Sequence, residues 1–86
     1  MSACETSPPV QEMSDARQAI AVAREAGAAD LAAVQLEEAE VALASAEKHL
    51  NDQAFHFARR DARQAKEKAL SALQTTSALA GSELQQ

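Results

Sequence analysis

Two histidines, His49 and His56, stand on either side of an Asn51-Asp52 break, and a chain that reverses there brings them toward each other and toward Asp52 and Glu47. Imidazoles and carboxylates ligate zinc, but a metal site needs three or four groups converging at fixed spacing with ordered outer partners. This set has no such spacing, and both histidines are expected to lie on the surface. Nucleophilic chemistry finds no better footing. Ser45, Ser71 and the adjacent Glu37 and Glu38 fall at positions expected to be exposed on helices. No base is set beside a nucleophile, no glycine-rich loop is present to cradle a phosphate, and no carboxylate is expected to be enclosed by apolar side chains. No catalytic residue, cofactor or metal is therefore expected.

One further group could be modified. Cys4 closes a Ser2-Ala3-Cys4 run, and a single thiol cannot staple a fold internally. Bacterial lipoprotein signals end in a small-small-Cys box, after which the cysteine becomes the acylated first residue of the mature chain and flexible polar residues, here Glu5 to Pro9, follow. The apolar stretch that belongs before such a box is not in the chain, so Met1 is expected to stand where a signal peptide was removed. Glu5 in place of an aspartate after the cysteine is similar to proteins sorted to the outer membrane. An unmodified thiol in a cytosolic protein is the alternative.

The elements that must position these groups are helices. Alanine supplies 22 of the 86 residues, so a 47% apolar content hides a thin core. Few β-branched residues, two aromatics (Phe55 and Phe57) and two glycines argue against a sheet, because strands favour branched and aromatic side chains. No uncharged stretch is apolar enough to cross a bilayer. A net charge of −5 makes nucleic acid an improbable partner, since phosphate binding rests on clustered Lys and Arg.

Residues 1–12, with Pro8 and Pro9, read as a flexible tether. The helical domain is expected over 13–80. Ser14 caps a first helix that ends near Ala26, before Gly27; Asp30 caps a second, carrying Leu31 through Leu50; Asp52 caps a third, from Gln53 to about Ala80, where Gly81 stops it and 81–86 form a frayed tail. The short link between the last two forces them antiparallel as a hairpin.

Steps of three and four residues give one seam in all three segments. The first helix supplies Met13, Ala16, Ile20, Ala23 and Gly27. From the second come Ala29, Ala32, Leu36, Ala39, Leu43, Ala46 and Leu50, and from the third Phe55, Ala58, Ala62, Ala65, Ala69, Ala72, Thr76 and Leu79. Side chains this small let helices approach closely, each buried methyl adding only about 0.8 kcal/mol. The expected fold is all-α: an antiparallel helical hairpin with a shorter N-terminal helix, a narrow alanine-rich three-helix bundle. That helix docks either on its own hairpin or on a neighbour's. Charge is sorted too, net −4 on the second helix and +2 on the third, so that opposite signs face each other across the hairpin and set its register. Phe57, Leu70 and Leu73 lie off the seam and form the candidate partner surface, with Phe57 either packed on the first helix or exposed as a contact point.

Ser14-Asp15-Ala16-Arg17-Gln18-Ala19-Ile20, Ala23 through Ala28, Leu36-Glu37-Glu38-Ala39-Glu40 with Leu43 and Ala46, and Ala58-Arg59-Arg60 with Ala62 and Ala65 together resemble the bacterial domain of unknown function 4398 family. The resemblance spans roughly Met13 to Ala80. It implies an alanine-rich helical domain of envelope lipoproteins, sometimes joined to an OmpA-like peptidoglycan-binding domain, and brings no catalytic residue with it. Where that family tends to have a proline at the start of its second helix, this chain has Ala32-Ala33-Val34-Gln35.

Residues and resemblance together point to a non-enzymatic structural or interaction module. It is expected at the periplasmic face of the outer membrane, held to the membrane only by a lipid anchor on Cys4 and binding a protein partner or a second copy. A cytosolic helical adaptor and a bundle that opens for a lipid or other small molecule are the alternatives.

Overall fold

A computed structural model describes residues 7–84, with side chains as far as residue 81, so Cys4 lies outside the described residues. The fold is all-α. Four helices and no strand occur among the described residues: α1 (Val10–Glu25), α2 (Ala28–Leu31), α3 (Ala33–Asn51) and α4 (Phe55–Leu84).

Several boundaries differ from those expected. α1 starts at Val10, inside the expected 1–12 tether, because Pro9 serves as its N-cap residue. A proline there loses nothing, its missing N–H being one of the orphans of a first turn, while its carbonyl accepts from Met13 N–H at 3.0 Å. Ser14 is consequently an exposed mid-helix residue rather than a cap. Asp30 caps nothing either; it lies within the single turn α2, and α3 starts after Ala32, whose φ of −146° breaks the helix. Asp52 closes α3 instead of opening α4, and its carboxylate reaches back to Lys48 at 3.4 Å. The reversal falls on Gln53, left-handed at φ 60°. Gly81 does not stop α4, which continues to Leu84 through most of the expected tail. Gly27 is where it was expected: at φ 103° it ends α1, its N–H bonding the Arg24 carbonyl at 3.0 Å.

Directions follow from the side-chain pairs. Along α3 and α4, Gln35 meets Ser71 at 3.0 Å, Glu38 meets Lys68 at 3.5 Å and Ser45 meets Asp61 at 2.6 Å, so the two run antiparallel. α1 runs opposite to α3, pairing Arg17 with Glu47 and Arg24 with Glu40, and with α4, on which Glu12 meets Arg59 and Arg63. α1 therefore lies along both α3 and α4. Most cross-helix charge pairs involve α1; Glu38–Lys68 spans the hairpin itself.

Twelve of the fifteen buried apolar residues are alanine, the others being Met13, Ile20 and Leu36. Ala16, Ala23, Ala39, Ala46, Ala58, Ala62, Ala65, Ala69 and Ala72 are fully enclosed, while Leu43, Leu50 and Phe55 are half-buried at the seam's edges. Two seam positions face solvent: Ala29, because the break at Ala32 rotates α2 out of phase with α3, and Leu79, on the last turns of α4 beyond α2 and α3. Thr76 is buried in its place on α4. The result is a rod of 56 × 21 × 14 Å.

Candidate functional site

The chain's one buried carboxylate among the described residues sits where α4 crosses the C-terminal half of α3. Asp61 lies between the seam alanines Ala58 and Ala62, and the close approach that methyl side chains permit sweeps it under α3 until 5% of it is exposed. On α3, Ser45 and His49 are four residues apart and so project to one side, directly over it. The Ser45 hydroxyl donates to Asp61 Oδ2 at 2.6 Å, His49 Nδ1 lies 2.8 Å from the same oxygen, and Arg60 Nη2 is 3.6 Å from Oδ1. Burial alone would push the carboxyl up; the Ser45 hydroxyl, His49 and Arg60 outweigh it and hold Asp61 below its ordinary value of 3.8. An ionised carboxylate only accepts, so Nδ1 carries the hydrogen in the His49–Asp61 contact.

Serine, histidine and aspartate meet here without forming a nucleophilic relay. In a hydrolytic triad the imidazole stands between the hydroxyl and the carboxylate; here hydroxyl and imidazole both end on one carboxylate oxygen. The cluster can pin α4 to α3. These facts correct two expectations: a carboxylate is enclosed after all, and Ser45 is a half-buried donor. Ser71 is likewise half-buried, accepting from Gln35. The pattern of one helix hides such a group, since Asp61 looks like any charged residue of α4; the signal was its place beside the seam together with the Ser45/His49 pair at mirror distance across the turn.

The expected meeting of His49, His56, Asp52 and Glu47 does not occur. His49 turns to Asp61, Asp52 to Lys48 and Glu47 to Arg17, and among the described residues no group of three His, Cys, Asp or Glu is placed to hold a metal ion. His56 is exposed and meets Phe57 edge-on at 5.7 Å.

Phe57 does not pack on α1. It is 46% exposed at the start of α4, with His49 5.6 Å away and the Arg60 guanidinium 5.1 Å from its ring centre. Leu70 is exposed beside Val22 in an open groove of about 250 Å³ between α1 and α4, and Leu73 is half-buried against the alanine core. Thirteen helical residues, about 20 Å, separate Phe57 from Leu70, so the three do not form one surface. A wider groove of about 390 Å³ runs between α3 and α4 past Glu38, Val41, Ser45, Asp61 and Lys68.

The sequence model of a domain of unknown function, DUF4398, matches residues 11–85. The chain belongs to the DUF4398 family. No curated protein and no solved structure matches it. The DUF4398 match starts one residue into α1 and takes in all four helices, Asp61 and its partners included, while Cys4 precedes it. No helix of this DUF4398 domain among the described residues is long and apolar enough to cross a membrane.

Proposed function

We propose that this DUF4398 domain is a non-enzymatic interaction module of a bacterial envelope lipoprotein. In this reading Cys4 carries the acyl chains at the periplasmic face of the outer membrane, and the domain is a narrow alanine-rich three-helix bundle, an α3–α4 hairpin with the shorter α1 laid along it, presented to a helical partner or a second copy. One observation carries it: the interior is built of alanine, while Val10, Val22, Val34, Val41 and Leu70 stand outside. A seam of methyl groups leaves no room for a ligand inside, and the large apolar side chains are available to another protein. The buried carboxylate supports the same view, since Ser45 and His49 already occupy it.

The test is metabolic labelling of cells expressing the full gene with an alkyne-bearing fatty acid. Label on the wild-type protein in the membrane fraction, lost with release to the soluble fraction in Cys4→Ser, is expected. An unlabelled, soluble wild-type protein would overturn the lipoprotein reading and favour a cytosolic adaptor.

A further inference from the structure

The chain leaves the structure at one particular end. Ser7 lies beside α4, its carbonyl accepting from Arg59 Nη2 at 3.1 Å, so the N-terminal segment enters at the end that carries the α3–α4 reversal and the first turns of α4. Three residue steps separate Ser7 from Cys4, and a chain spans at most about 3.6 Å per residue, so Cys4 lies within about 11 Å of Ser7. Any acyl chain on Cys4 therefore fixes this end, not the other, against the lipid.

That end has the chemistry for it. His56, Arg59, Arg60 and Arg63, with Gln64 and Glu67, border one shallow depression on α4. Glu12, Asp61 and Glu67 balance Arg59, Arg60 and Arg63 in number, but the side chains of Arg60 and Arg63 are 57% and 66% exposed while those of the acids they meet, Asp61 and Glu12, are 7% and 27% exposed, so the guanidiniums face outward over carboxylates tucked beneath them. Phe57 stands exposed beside them with Arg60 over its ring. An aromatic ring flanked by arginines is suited to the boundary between headgroups and acyl chains. The charge of the whole rod is polarised in the same sense. In the half around Met13, Ala46 and Ala62 (7–17 and 44–64) five acids balance five bases, whereas the half around Ile20, Ala39 and Ala69 (18–43 and 65–81) carries six acids against three bases.

We infer that the Phe57, His56, Arg60 and Arg63 face is a second membrane contact, docking on anionic phospholipid headgroups next to the anchor while the acidic half of the rod is held away from the surface. The inference rests on the acylation of Cys4 for the rod's orientation. The acyl chains hold the domain at the bilayer, and the arginine face sets which side of the rod lies against it. Each arginine near an anionic surface strengthens binding roughly fivefold.

The test uses the full chain with Phe57→Trp as its sole indole, mixed with vesicles of equimolar phosphatidylglycerol and phosphatidylcholine or of phosphatidylcholine alone. At low salt a blue-shifted emission, quenched by brominated acyl chains, is expected with the anionic vesicles and not with the neutral ones. Arg60→Gln with Arg63→Gln should weaken that binding at least tenfold, and Lys68→Gln in the other half should leave it unchanged. Should the double variant lose its helical circular dichroism, Arg63→Gln alone carries the test, with a loss of roughly fivefold. Emission that never shifts with anionic vesicles, binding that survives the arginine changes, or capture by polyglutamate in the absence of any vesicle binding overturns the inference, the last assigning the patch to an acidic protein. Loss of the acyl label from cells overturns the lipoprotein reading and the orientation together; failure of vesicle binding by an acylated chain overturns the docking face alone.

Discussion

Asp61 holds α3 and α4 together through two side chains that end on one oxygen, Ser45 at 2.6 Å and His49 at 2.8 Å. Asp61→Ala leaves both without their acceptor, and chemical denaturation should show a loss of about 1–3 kcal/mol, with Ser45→Ala costing less because only one bond goes. The pH dependence has a defined sign. The carboxyl is held below its unfolded value of 3.8, so the charged form is favoured by folding. Its contribution is complete above the unfolded value and drains away as pH falls through the lower, folded one. Stability of wild type relative to Asp61→Asn should therefore shrink as pH drops below about 4. A difference that grew with acid would refute the assignment of Asp61 as the ionised acceptor. Little of this was legible in the sequence, because helix periodicity sorts residues by the face of their own helix. Whether a neighbouring backbone covers the margin of that face depends on how near the neighbour comes, and the alanines of the other strand of the hairpin decide that.

At the scale of the element, periodicity served the helix bodies and capping rules failed at most of their ends. The shared seam placed three long helices because a spacing of three and four accumulates over many residues. Ser14, Asp30 and Asp52 each qualified as caps by type alone, yet Ser14 and Asp30 lie within helices, Asp52 turns its carboxylate to Lys48, and no side-chain cap bond is made at the starts of α1, α2 or α3. Pro9, Ala32 and Gln53 do that work through backbone angles that residue type advertises poorly, Gln53 most of all at φ 60°. The two glycines separate the cases. Gly27 at φ 103° needs what only glycine gives freely, whereas Gly81 lies in helix with open space around it. Gly27→Ala should cost about 1 kcal/mol through strain alone, since an added Cβ meets nothing within 4 Å. Gly81→Ala should be neutral or stabilising by up to about 1 kcal/mol. Urea titrations that moved both midpoints the same way would contradict this division.

Across the whole molecule the decisive quantity is the thinness of the interior. α4 alone is about 45 Å long at 1.5 Å per residue, and α1 and α3 lie along it rather than gathering into a sphere, because alanines offer contact only along a line. That line was legible from composition and spacing; the side of α3 and α4 that α1 lies against was not, since periodicity describes only the face of each helix by itself. Such a core has no slack, so its response to added volume should be steep. Ala65 has no exposed surface and lies in mid-seam, whereas Ala44 on α3 faces solvent. Ala65→Leu forces three extra carbons between backbones held apart by methyl groups, and about 3 kcal/mol of destabilisation should follow. That is of the order of everything so small a core supplies, so the variant should melt near or below ambient temperature. Ala44→Leu adds the same carbons outside and should change stability by no more than about 0.5 kcal/mol. A pair of melts with similar midpoints would mean that the helices can part without penalty, and the rod would then owe its shape to something other than the closeness of its backbones.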